Sequence, residues 1–236
     1  MPGVYPKIPK TALAFYAHPD DADVSCGATL ALWSSKGAKV NLVICAKGEK
    51  GSRDGHLSPS DLEELRIAEV SAASEKIGIS EIKWLSIPDG EIENSNSLRE
   101  AIVGLVRKFR PDTVLCPDPT AVFFGSGYFN HRDHRELGWA VMDAVSPASA
   151  LPHYYKSQGK PHQVSTVLLS GTLEPDVVID VTDTIEAKLE AVLCHTSQIE
   201  DRGEWMREVI STRAQETGRK FGVAYAESFR LLELGS

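Results

Sequence analysis

A chain of 236 residues with a 42% hydrophobic share is long enough to bury one large α/β core and too short for two comfortable ones. Its 33 acidic against 25 basic residues leave a formal charge of -8, which disfavours nucleic acid or an anionic membrane as the main partner and favours a small solute. No stretch approaches the roughly 18 apolar residues of a membrane span, and the proline-rich opening from Met1 to Lys10 precedes an apolar run too short for a secretory leader.

Apolar, β-branched and aromatic residues from Thr11 to Tyr16 predict a buried strand that opens into the acidic loop Ala17-His18-Pro19-Asp20-Asp21-Ala22-Asp23. A helix from Val24 to Ser35 with Gly37 as its stop follows, then a strand from Lys39 to Ala46. The segment from Lys47 to Pro59 is polar, glycine-rich and aperiodic, longer than an ordinary connection and therefore a functional suspect. Ser60-Asp61-Leu62-Glu63 reads as a capping box, opening a helix whose Leu65, Ala68, Ala72 and Ile77 recur at helical spacing before Gly78. A third strand is expected from Ile82 to Ile87, ending at Pro88-Asp89-Gly90. A helix from Leu98 to Phe109 leads to a fourth strand from Thr113 to Cys116.

From Pro117 to Asn130 the chain reads as loop, and its Phe123, Phe124, Tyr128 and Phe129 suit anchoring or stacking on a sugar face. A helix from Asp133 to Ala144, an irregular stretch from Leu151 to Gly159, and strands from Ser165 to Ser170 and Val177 to Val181 come next. Thr182 and Asp183 are expected to cap a helix reaching Cys194. A charged helix near Glu204 to Thr217 and a strand near Phe229 to Leu234 close the order. The alternation predicts an α/β fold in one domain, residues 1–236: a Rossmann-like, mostly parallel sheet with helices on both faces and ligands beyond the carboxyl ends of the strands. No G-x-G-x-x-G follows the first strand, and the carboxylates there would repel a pyrophosphate. Four widely separated cysteines, Cys26, Cys45, Cys116 and Cys194, without C-x-x-C spacing, point to reduced core thiols and a cytoplasmic protein.

His18 and Asp21 stand three apart, so in a turn-like backbone they share a side, and imidazole with carboxylate suits a zinc-type ion. Asp20 is left free beside them. A catalytic zinc takes three protein ligands and keeps one position open, so a third must come from elsewhere, and His131-Arg132-Asp133-His134 offers it. Spacing alone leaves open which of the two histidines there touches the metal.

These stretches, AHPDDAD and HRDH, together with VTDTIEAKLEAVLCHTSQ and YAESFRLLEL, resemble the LmbE-like zinc hydrolases. That family includes GlcNAc-phosphatidylinositol de-N-acetylases, deacetylases of mycothiol and bacillithiol biosynthesis, and archaeal diacetylchitobiose deacetylases. The likeness spans nearly the whole chain. Two positions depart from the family's AHPDD-x-E and H-P-D-H patterns: Asp23 stands for glutamate and Arg132 for proline.

The resemblance implies that His18, Asp21 and His134 hold Zn2+, that Asp20 is the general base, and that His131 stabilises the oxyanion and protonates the leaving amine. It further implies that Asp133 orients a histidine ring and that Arg66 contacts substrate. Asp89 lies at the correct sheet end to accept sugar hydroxyls, and Arg53 in the long loop, beside Asp54, is a further substrate-binding candidate. His195 and Gln198 match the family's H-x-S-Q element, and Glu227 rests on the resemblance alone. The activity expected is zinc-dependent removal of an N-acyl group from an N-acetylglucosamine-type amino sugar or glucosaminyl conjugate. The alternatives are a metal-dependent phosphoesterase and a non-catalytic amino-sugar-binding module. A homo-oligomer is compatible with the sequence.

Overall fold

The computed structural model describes residues 3–53 and 56–235; Asp54 lies outside them. Thr11–Tyr16 is buried along nearly its whole length, and its side chains alternate between two apolar cores. Ala12, Ala14 and Tyr16 face one, Leu13 and Phe15 the other, as a period of two dictates for a strand covered on both faces.

The elements in chain order are β1 (Gly3–Val4), β2 (Thr11–Tyr16), α1 (Asp21–Ser35), β3 (Lys39–Ile44), α2 (Pro59–Ile77), β4 (Glu81–Trp84), α3 (Asn96–Phe109) and β5 (Thr113–Pro117). They continue with β6 (Phe123–Phe124), β7 (Tyr128–Phe129), α4 (Arg132–Asp143), β8 (Thr166–Ser170), β9 (Val177–Asp180), α5 (Ile185–Leu193), α6 (Thr196–Ile199), α7 (Gly203–Arg219) and β10 (Ala226–Glu233). Eight strands form one sheet in the order β1-β9-β10-β8-β5-β2-β3-β4, and β6 and β7 pair as a separate small hairpin. Only β10 runs against its sheet neighbours.

This is the mostly parallel α/β sheet the alternation predicts. Residues of α1, α2 and α5 cover one face, and those of α3 and α4 the other. The order places β3 on one side of β2 and β5 on the other. Successive crossovers therefore diverge at β2, and a crevice opens where the loops after β2 and β5 part.

Several boundaries differ from the sequence reading. The α2 cap is Ser58, whose hydroxyl accepts from the Asp61 amide at 3.2 Å, with Pro59 as the first helical residue; this is the position where a missing N–H costs nothing. Glu63, expected to complete a capping box, reaches Lys47 at 2.5 Å instead. β4 stops at Trp84 because Ser86 takes a positive φ of 54°. Thr182 does not cap α5. Its hydroxyl donates to Asp180 at 2.6 Å, while the helix starts behind Thr184, whose hydroxyl donates to the Ala28 carbonyl at 2.8 Å. The sequence pattern predicts neither β1 nor the β6–β7 hairpin inside the expected loop.

The stretch between α4 and β8 has little regular structure, and one buried cation organises it. Arg107 of α3 is 5% exposed and donates to the carbonyls of Ala148, Ser149, Leu151, Tyr154, Tyr155 and Gly159 at 2.9 to 3.4 Å. Hydrogen bonds from a charged donor contribute roughly 1.5–3 kcal/mol each and are not additive. Arg107→Ala is therefore expected to cost at least about 3 kcal/mol of unfolding free energy, read from urea denaturation, with early amide exchange confined to residues 148–159.

Candidate metal centre and active site

β2 delivers His18 at the mouth of the crevice, and the turn into α1 is closed by the His18 amide donating to Asp21 Oδ2 at 2.8 Å. Asp21 is the first residue of α1, where a carboxylate is favoured by the helix dipole. The helix kinks at Cys26 (φ -147°, ψ 20°). The amides freed there are taken up by Glu227 of β10, whose carboxylate accepts from Thr29 at 2.8 Å and Ala28 at 3.3 Å. Lys188 pairs with the same carboxylate at 2.5 Å.

Across the crevice, the chain leaves β5 through the small hairpin and enters α4. His131 is the α4 N-cap, its Nδ1 accepting from the Asp133 amide at 3.2 Å. One turn in, His134 comes up beside His18. The three expected metal ligands converge. His18 Nδ1 lies 3.3 Å from His134 Nε2 and 3.5 Å from Asp21 Oδ2, and His134 Nε2 lies 3.1 Å from Asp21 Oδ1. Ligands at about 2.0–2.1 Å from a tetrahedral ion sit roughly 3.3–3.4 Å apart, so these atoms are already at coordination spacing.

The outer partners fix which nitrogen is free on each ring. His134 Nδ1 is 3.1 Å from Asn130 Oδ1, and His18 Nε2 is 3.3 Å from Asp133 Oδ2 and 3.2 Å from Asp89 Oδ1. Each ring thus spends its N–H outward and presents a lone pair inward. Two lone pairs facing each other beside a carboxylate call for a cation. A wider set of nitrogens also brings His131 within 4.8 Å of His18 and His134, and His18 groups with Asp89 and Asp133 within the same limit. Asp21 is the better third ligand, because His131 Nδ1 is occupied and the Asp89–Asp133 pair sits on the N–H side of His18.

The same acceptors favour a proton on the rings. Burial opposes charge on His18, but hydrogen bonds to Asp133, Asp21 and Asp89 prevail and hold its pKa up at about 12. Burial also opposes charge on His134, and Asp21 outweighs it, raising the pKa. Asp21 is itself held well below the carboxylate range by the two imidazoles, against its burial. Both raised groups must shed protons before a metal can bind, so metal affinity rises with pH. Between pH 6 and 8 the apparent affinity is expected to climb by between about ten and a hundredfold per pH unit, the range for one to two protons displaced. Competition with a chromophoric chelator measures the affinity, and a pH dye in unbuffered solution counts the protons.

Asp20 stands outside the ligand triangle, 29% exposed, with Oδ1 held by Arg66 Nη2 at 3.0 Å. Arg66, expected to meet substrate, is buried at 3% exposure and fastens Asp20, with Nη1 on the Gly48 carbonyl at 3.2 Å. Gly48 has φ +73°, and a Cβ there would strike the Arg66 guanidinium; the glycine-rich loop allows this approach. Asp89, expected to take sugar hydroxyls, turns its carboxylate to His18 instead. Arg53 is exposed and lines a separate polar hollow with Ser197, Gln198 and Arg202. Asp133, expected to orient a histidine ring, is fully buried, and its Oδ2 accepts from the Gly90 amide at 2.8 Å and lies 3.3 Å from His18 Nε2.

Asn130, Lys188 and Glu227 play parts that local sequence did not reveal. Asn130 stands four residues before His134, the one short-range signal among them. Asp23, the shortened family position, meets His195 at 2.6 Å, both buried. Arg132, in place of proline, ties α4 to the β4–α3 loop through the Gly90 carbonyl at 3.3 Å and Glu93 at 2.9 Å.

Asp20, Asp21 and His134 line a cavity of about 750 Å³. Among the described residues, no helix is long and apolar enough to cross a membrane.

The family model for PIG-L, GlcNAc-PI de-N-acetylase, matches residues 13–145. The chain belongs to this family. Both stretches that meet at the site, His18–Asp21 and His131–His134, fall inside the match. Among PIG-L relatives, the diacetylchitobiose deacetylase of Thermococcus kodakarensis is 33% identical over 94% of this chain and 83% of its own length. A 1D-myo-inositol 2-acetamido-2-deoxy-alpha-D-glucopyranoside deacetylase of Streptomyces avermitilis is 26% identical over 82% of this chain and 84% of its own. The solved N,N'-diacetylchitobiose deacetylase from Pyrococcus horikoshii superposes with a TM-score of 0.87 at 31% identity, covering 95% of this chain and 84% of that one.

Proposed function

We propose that this protein is a zinc-dependent N-deacetylase that hydrolyses the acetamido group of an N-acetylglucosamine-type sugar or glucosaminyl conjugate. The observation that carries the reading is the triangle of His18 Nδ1, Asp21 and His134 Nε2 at 3.1 to 3.5 Å, with Asp20 fastened beside it and lining a cavity. The named activities of relatives covering most of the chain support the substrate class. Two imidazoles and a carboxylate with an open position suit zinc. The free thiols of Cys26, Cys45 and Cys116, all buried, support a cytoplasmic setting.

When bound, zinc would polarise the amide carbonyl and lower the pKa of a water toward ~7. Asp20 accepts the proton of the attacking water, and Arg66 keeps the carboxylate turned to that task. His131 has its Nδ1 lone pair engaged, so its proton sits on Nε2, which donates a hydrogen bond to the developing oxyanion, while the proton that Asp20 accepted from the water passes to the leaving nitrogen and restores the carboxylate. Burial and the neighbouring His18 lower the His131 pKa, which keeps the ring a neutral hydrogen-bond donor. The C–N bond breaks as the new C–O bond is kept, giving a carboxylate and a primary amine.

A two-metal phosphoesterase needs a second, independent ligand set. The two candidate groups found among the described residues share His18, which favours one ion. Primary-amine release across a panel of N-acyl glucosaminides tests the proposal. Release is expected with zinc, abolished by chelator and restored on adding the metal back; a zinc-loaded protein that releases no amine from any of them refutes it.

A further inference from the structure

Arg66 and Glu69 of α2, both buried, stand one turn apart and share a face of the helix. Arg66 holds Asp20 at 3.0 Å. Glu69 reaches α6 instead: its Oε1 accepts from the Thr196 hydroxyl at 2.9 Å and the Ser197 amide at 2.6 Å, and its Oε2 accepts from the Ser197 hydroxyl at 2.7 Å. Desolvating a carboxylate is costly, and these three donors offset it. A helix of four residues has no stability of its own, so α6 depends on such contacts for its seat.

His195, which leads into α6, brings Nε2 to 2.6 Å from Asp23 Oδ2. Asp23 lies one turn beyond Asp20 on the same face, and the Val24 amide closes that turn on the Asp20 carbonyl at 3.0 Å. The contacts complete a circuit: Asp20 to Arg66, along α2 to Glu69, across to Thr196 and Ser197, back to His195, and from there to Asp23. Because α1 breaks at Cys26, the turn carrying Asp20 is oriented by what grips its side chains more than by the body of the helix. Asp21 is gripped separately, by the His18 amide. We propose that Glu69 is a positioning residue for Asp20: by seating His195 against Asp23 it fixes the turn that carries the Asp20 carboxylate, while the metal ligands are held by other contacts. The inference rests on the deacetylase reading for the role of Asp20 as base.

The test compares Glu69→Ala and Glu69→Gln in zinc-loaded protein, and Glu69→Ala again in the Asp20→Asn background, on whichever N-acyl glucosaminide the wild type turns over fastest. Glu69→Ala is expected to lower kcat by between about tenfold and a hundredfold, the cost of misplacing a catalytic group by about an ångström. KM and zinc affinity stay within about twofold, since neither requires an oriented base. Glu69→Gln keeps an oxygen for both Oε1 bonds and a nitrogen that donates to the Ser197 hydroxyl, so kcat returns to within about threefold of wild type. In the Asp20→Asn background Glu69→Ala brings no further loss, because the group it positions is already gone. Amide exchange over residues 20–25 and 195–199 rises in Glu69→Ala and reads the circuit without turnover. Should Glu69→Ala not fold, Ser197→Ala removes the Oε2 donor alone and is expected to cost at least about threefold in kcat, again only where Asp20 is present. A loss that persists without Asp20, KM or zinc affinity falling in step with kcat, an unchanged kcat, or unchanged exchange over residues 20–25 overturns the proposal. If the wild type releases no amine from any glucosaminide while exchange over residues 20–25 still rises in Glu69→Ala, the deacetylase reading fails and the hold of Glu69 on the Asp20 turn stands.

Discussion

Asp20→Asn is expected to bind its full complement of metal and to lose about a thousandfold in kcat, mid-range for removal of a positioned general base. The side chain contributes nothing to the ligand triangle, so the metal site is left whole. It also keeps its support, because an amide oxygen still accepts from Arg66 Nη2, now 3.0 Å from Oδ1. What disappears is the ability to take a proton. Metal analysis of the purified variant alongside initial rates of amine release separates the two properties. A variant retaining more than a tenth of wild-type turnover would remove Asp20 from the mechanism.

His134→Ala should fail earlier, at metal binding itself. The substitution deletes one of three donors and strands Asn130, whose Oδ1 now meets the ring at 3.1 Å. The remaining His18–Asp21 pair has no third protein ligand, so the loss of affinity should exceed the roughly 10–100-fold that follows removal of an outer partner. Activity should vanish at any zinc concentration that leaves the wild type saturated. His131→Ala is the matched control: its ring caps α4 through Nδ1 and lies outside the triangle, so the metal stays and amine release falls. Metal loss in His131→Ala with retention in His134→Ala would exchange the two assignments.

The proposed metal ligands could be picked out because the residues are grouped locally, His18 with Asp21 and His134 beside His131, both just beyond strand-end loops where the alternation of strands and helices places a crevice. The supporting shell was harder to read. Arg66 and Asp89 were recognised as belonging to the site, but nothing in a linear sequence says that a guanidinium will turn to Asp20, 46 residues away, or that a turn aspartate will lean on His18. The partners of Asp23 and Thr29 lie farther still, 172 and 198 residues along. Helix starts slipped for a different reason. Ser58 and Ser60 both offer a capping hydroxyl, and the choice is made by Pro59, which fits the first turn and cannot donate.

Glu227 joins the far end of the polypeptide to its beginning. A chain emerging from the ribosome can complete β2, β3 and both histidine loops long before residue 227 is made, yet the broken helix beneath Asp20 and Asp21 stays uncapped until the last strand docks. The start of α1 thereby depends on the docking of β10, and a product truncated before β10 would carry the proposed ligands and base without the carboxylate that takes up the freed amides of Ala28 and Thr29.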